Sequence, residues 1–104
     1  MKINSAFALA VMLSTTHVQA SEMCTALHGL GDQMMYARQE GVSMVQSFEI
    51  IEDNLKTVPE LLTVARLMVK DAYGVSRYSS EKFKKEAQSE FANKWMLLCL
   101  KELD

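Results

Sequence analysis

Residues 43–74 read SMVQSFEIIEDNLKTVPELLTVARLMVKDAYG, and this stretch decides the fold. Ser43 followed three residues later by Gln46 is a capping box, in which each side chain satisfies a free backbone N–H of the other residue. It opens a helix whose Met44, Val45, Phe48, Ile51 and Leu55 form one apolar stripe ending near Lys56. Pro59 suits the first turn of a second helix, where its missing N–H costs nothing, with Thr57 or Val58 as cap. Leu61, Leu62, Val64, Ala65, Leu67, Met68, Val69, Ala72 and Tyr73 wrap much of this helix before Gly74. It is therefore expected to be the most buried of the chain.

Working outward, Ser21 is a candidate N-cap for an earlier helix, with Met23, Leu27, Leu30, Met34 and Ala37 at helical spacing and Gly41 as a left-handed stop. Gly29 and Gly31 inside it point to a bend or a close helix contact. After Gly74, Ser79 or Ser80 caps a last helix that runs through Phe83, Ala87, Phe91, Trp95 and Leu98 to about Lys101. Four glycines and one proline in 104 residues leave too few turns for a β-sandwich or barrel. Short connections at 41–43, 57–59 and 74–79 favour antiparallel neighbours. The predicted fold is all-α: one small antiparallel four-helix bundle, running up-down-up-down.

Residues 1–20 carry Lys2, the apolar run Ala6–Leu13 and a polar stretch ending Val18-Gln19-Ala20. They read as a secretory signal peptide cleaved after Ala20, since eight apolar residues fall far short of the roughly 20 that span a bilayer. Cys24 follows Ser21-Glu22-Met23, which does not make a lipoprotein box, so no membrane anchor is expected on the mature form. The helical domain is then 21–104, with ten basic against thirteen acidic residues and a net charge of −3. Its two cysteines, Cys24 and Cys99, sit at opposite ends in an export context where disulfides persist. A bridge between the first and last helices is expected, with free thiols or an intermolecular bridge as the open alternatives. The up-down-up-down order brings both cysteines to one end, so pattern and cysteine placement agree.

The charge balance shows no basic excess for nucleic acid. Glu49 is expected beside Arg66 across the second and third helices, and Glu81 to Lys85, Lys82 to Glu86 and Glu90 to Lys94 pair at i, i+4 along the last, all as solvated ion pairs. His28 and Met96 lie one turn from the cysteines, a combination that would suit haem, but a bridge one turn away holds the backbones too close for a porphyrin. Six methionines in the domain, Met23, Met34, Met35, Met44, Met68 and Met96, are read mainly as core filling. Without a second histidine or a spaced Met motif, neither metal nor cofactor is expected. Met34 and Met35 diverge by about 100° on a helix, so one of them is expected on the surface beside Tyr36. No phosphate loop or nucleophile motif is present, and no enzyme activity is expected.

Cys24, Ala37-Arg38-Gln39-Glu40-Gly41-Val42-Ser43-Met44, Ala72-Tyr73, Arg77-Tyr78-Ser79 and Phe91-Ala92-Asn93-Lys94-Trp95 with Cys99 form a pattern over nearly the whole domain. The chain resembles small exported proteins of proteobacteria and their phages. That resemblance implies periplasmic export and a terminal cysteine pair, and it carries over no activity and no catalytic residue. It also points to Arg38, for which a cation near a helix C-terminus is a sufficient structural role and partner binding the functional one. Trp95 is expected to lie beside Phe91 with its indole N–H bonded at the core boundary.

The expected function is binding of a protein partner in the periplasm, as an inhibitor or immunity-type protein, through Met35, Tyr36 and Arg38. The alternatives are a periplasmic stress holdase and a small metal or ligand carrier using His28 and the methionines.

Overall fold

A computed structural model describes residues 22–103. The signal-peptide reading with its cleavage after Ala20, and Ser21 as a cap, lie outside the described residues. Among these residues the chain forms four helices and no strand: α1 over 22–39, α2 Met44–Leu55, α3 Pro59–Tyr73 and α4 Glu81–Leu103. Their packing is that of a helical bundle, as the sequence predicts.

The local signals act where they were read. Gln46 N–H donates to Ser43 Oγ at 3.1 Å and Ser43 N–H donates to Gln46 Oε1 at 3.4 Å, closing the capping box. Pro59 occupies the first turn of α3, preceded by Val58, and Ser80 Oγ accepts from Phe83 N–H at 3.2 Å to cap α4. Gly41 adopts φ +86° at the end of α1, a conformation that strains any residue with a Cβ. The Gly41 and Val42 N–H groups donate to the Arg38 and Ala37 carbonyls at 3.2 and 3.0 Å, giving a Schellman stop.

Cys24 and Cys99 form a disulfide, with Cα atoms 5.5 Å apart, joining α1 to α4. From it the two helices run antiparallel. His28 Nε2 and Asn93 Oδ1 lie 3.1 Å apart, and Lys84 Nζ reaches Glu40 Oε2 at 3.4 Å at the far end. Between these, a Cβ on Gly31 would stand 3.3 Å from Ala92 Cα. Gly31 therefore serves the close helix contact expected of it, and α1 meets α4 nearly backbone to backbone.

The second antiparallel pair is α2 and α3, tied by Ser47 to Tyr73 at one end and Glu52 to Arg66 further along. Arg66 pairs with Glu52 and not with the expected Glu49. Lys56 keeps helical angles past Leu55, so the course of α2 continues into the turn and Arg66 comes level with Glu52, one turn nearer the connection than Glu49. None of the three expected i, i+4 pairs on α4 closes to within 4 Å. Lys84 instead reaches Glu81 three residues away and Glu40 just past α1, while Lys94 reaches Asp71 on α3.

Burial also departs from the stripes. The core joins Cys24, Leu27, Met34 and Met35 of α1 to Ile51, Leu62, Ala65, Met68, Val69, Ala72, Ala87, Phe91 and Cys99. On α2, Ser47 is buried and Val45 exposed. Helix α3 buries one face, leaving Leu67 exposed, and five of its 15 residues are buried, the same share as the six of 18 in α1. Helix α1 is covered on two sides: its Met34 faces Ser47 and Ile51 of α2 while Met35 faces Ala87 and Phe91 of α4. A helix covered on two sides buries adjacent residues that diverge by about 100°. The expectation that one of the two methionines is exposed is therefore corrected: both are buried.

Candidate functional site

Helix α3 does not form a tight hairpin with α4. Asp71, near the end of α3, accepts from Trp95 Nε1 at 3.0 Å and pairs with Lys94. A tight hairpin would place Asp71 about ten residues nearer the start of α4, roughly 15 Å away at 1.5 Å per residue. Residues 74–80, which can span roughly 23 Å, bridge that distance. A non-helical segment beside a core has backbone groups that must find partners, and the end of α1 supplies them.

Gln39, fully buried, meets this need. Its amide Nε2 donates to the Ser76 carbonyl at 2.8 Å and to Met35 Sδ at 3.4 Å, while Oε1 accepts from Tyr78 N–H at 2.8 Å. Both donors and the acceptor of the amide are thus engaged. Arg38 Nε donates to the Val75 carbonyl at 2.9 Å, and its guanidinium carbon lies 5.3 Å from the centre of the Tyr73 ring. Tyr73 Oη donates to the Val42 carbonyl at 2.7 Å and lies 2.8 Å from Ser47 Oγ. Arg77 returns the contact: its Nε donates to the Gln39 carbonyl at 3.4 Å, and its guanidinium packs on the bare face of Gly41. Among the described residues, no buried side-chain nitrogen or oxygen lacks a partner. The sequence-expected site residue Arg38 is thus committed to holding 75–78, beyond the dipole role first assigned to it.

With 75–78 fixed, a groove of about 460 Å³ opens between this segment, α1 and α4. Met35, Ala87 and Phe91 line its apolar interior, and Val75 and Tyr78 form one wall. Phe83 faces Tyr78 with ring centres 6.0 Å apart, and both aromatic rings are exposed. Glu86, Glu90 and Lys94 complete the rim. Of the three expected binding residues, Met35 contributes only the groove's interior, Arg38 is tied to the segment behind it, and Tyr36 is exposed but lines neither this groove nor the smaller one between α1 and α2. The structure therefore does not bring Met35, Tyr36 and Arg38 together as one surface patch. Tyr78 and Phe83 were missed because each reads as an ordinary aromatic residue near a helix start.

Elsewhere the chemistry is sparse. Trp95 lies beside Phe91, with ring centres 6.3 Å apart, and its N–H is bonded to Asp71 as expected. The hydrogen bond from Arg66 holds the Glu52 carboxyl below its usual range and raises Arg66 in return, but both groups are on the surface. Among the described residues, no three His, Cys, Asp or Glu side chains gather in a group able to hold a metal ion, and no helix is long and apolar enough to cross a membrane. No family model, curated protein or solved structure matches the chain.

Proposed function

We propose that this chain is an exported, non-catalytic helical domain that acts by binding another protein, in the manner of an inhibitor or immunity-type partner. Export to the periplasm is supported by the signal-like pattern of residues 1–20 and by the disulfide, which belongs to oxidising compartments. One observation carries the binding reading: a groove with an apolar interior, left open to solvent, with exposed Tyr78 and Phe83 at its mouth. Aromatic side chains in such positions are the residues that dominate protein interfaces. The groove also has a rigid wall, because Gln39 and Arg38 fix 75–78 before any partner arrives. A surface organised in advance loses less freedom on binding.

Affinity capture from a periplasmic extract, with the disulfide-closed domain as bait, tests this reading. A specific partner should be retained by the wild type and lost at least about thirtyfold with Tyr78→Ala/Phe83→Ala, corresponding to about 2 kcal/mol at a hot spot. Tyr36→Ala should retain it. Equal retention by the groove variant, or loss with Tyr36→Ala alone, would reject the groove as the docking surface.

A further inference from the structure

Resting on the reading of the groove as a docking site, we infer that its occupant is a basic and apolar segment of a partner protein, a large apolar side chain flanked by lysine or arginine. Ala87 and Phe91 give the interior nothing to hydrogen-bond with, and Met35 Sδ already accepts from Gln39, so the group that enters must be apolar. The rim decides the rest. Lys94 is already paired with Asp71 and lies 5.9 Å over the Phe91 ring. Glu86 and Glu90 are both exposed, and neither forms an ion pair among the described residues. Lysines stand four residues away on either side, yet Lys82 lies over the Phe83 ring, 6.0 Å from its centre, and Lys94 turns to α3.

Two carboxylates one turn apart on a helix repel each other. Here they do so beside an apolar cleft, whose low-dielectric walls concentrate their field at its mouth. An acidic segment would meet that field as repulsion, and an uncharged one would gain nothing from it. A basic segment relieves the repulsion between Glu86 and Glu90 while its apolar residue fills the interior.

Three synthetic peptides of equal length test this on the full disulfide-closed domain: one of Leu and Lys, one of Leu and Glu, and one of Ser and Lys, titrated calorimetrically at low and physiological salt. The Leu/Lys peptide should bind at least tenfold more tightly than either of the others. Glu86→Gln/Glu90→Gln should reduce its affinity about tenfold and flatten its salt dependence. Glu49→Gln/Glu60→Gln, the same charge change away from the groove, should leave both unchanged. Ala87→Leu, which fills the interior, should remove binding, and Phe83→Ala provides the same readout from an exposed position. If the Leu/Glu peptide binds as well and is lost with Phe83→Ala, the groove stands and the basic partner is overturned. Equal losses in the two glutamine variants, or equal binding of the Ser/Lys peptide, also overturn it. No binding by any peptide, or binding indifferent to both groove variants, overturns the docking site itself.

Discussion

The two ends of the α1 and α4 pair are closed by different physics. At one end a single covalent bond, Cys24 to Cys99, holds the helices together. At the other, Arg38, Gln39, Gly41 and Arg77 tie the end of α1 to the 75–78 segment that leads into α4, and Tyr73 bonds Val42, through hydrogen bonds and a close glycine contact. The surfaces around the two closures differ accordingly. Near the disulfide Leu97 is 54% exposed and Met23 53%, and Leu98 and Leu100 are also exposed. A covalent link needs no matching surface to support it. The polar end has no such latitude, because a buried amide left without partners costs more than it returns when satisfied. The Gln39 amide is accordingly fully engaged, and the order that ties this end also holds the groove's wall.

Removing the covalent closure should have the largest effect. For Cys24→Ala/Cys99→Ala, the chain-entropy argument for a loop of this length gives at most about 4.5 kcal/mol, and a loss of about 3 to 4 is expected in urea denaturation monitored at Trp95. A loss below about 1 kcal/mol would mean that noncovalent contacts already hold that end. Next, Gln39→Ala should cost about 2 to 3 kcal/mol by the same assay, since it leaves the Ser76 carbonyl and Tyr78 N–H without their partner and opens a void. Gln39→Met sharpens the comparison. It keeps most of the volume without the amide, so it should fall well below wild type if polarity is what closes this end, and should match wild type if packing is.

Gly41→Ala should cost about 1 to 2 kcal/mol, combining a left-handed φ with a Cβ 3.0 Å from the Arg77 guanidinium. Substituting Gly29, whose missing Cβ has nothing within 4 Å, by Ala should instead leave stability unchanged or slightly raised.

The smallest effect is expected from the surface pair of Glu52 and Arg66. Because Arg66 lowers the Glu52 pKa in the folded state, the pair's contribution is present above the ordinary carboxylate range and fades as pH falls through the lowered value. The gap between wild type and Glu52→Gln in denaturation midpoint should therefore be small at pH 6.5 and vanish at low pH. A gap that widens with acid would contradict the sign.

Local signals were legible because their physics is local. Ser43 and Gln46 bond each other across one turn, Pro59 needs only its own ring, and Gly41 needs only its own φ. Helix existence and the all-α class follow from such signals, and the disulfide from the requirement that two ends of one bundle meet. Gln39 was not legible. It reads as a surface residue because its partners, Ser76 and Tyr78, are remote in sequence and lie in a segment whose placement depends on how far α3 is shifted along α4. The one trace is that polar and aromatic residues gather at both chain breaks, Arg38-Gln39 before Gly41 and Arg77-Tyr78 after Gly74. Met35 was misjudged for a related reason: periodicity gives the width of an apolar stripe but does not tell how many neighbours a helix has. The groove was invisible because it is made by a shift between helices, and composition has no record of that.

Amide hydrogen exchange at Tyr78 tests most directly whether Gln39 holds the non-helical wall of the groove. The Tyr78 N–H, donating to Gln39 Oε1 at 2.8 Å, should be protected at least about a hundredfold over the exposed Ser79 amide, and Gln39→Ala should abolish that protection while the amides of α2 keep theirs. A Tyr78 amide that exchanges as fast as Ser79 in the wild type, or one that stays protected in Gln39→Ala, would contradict this role of Gln39.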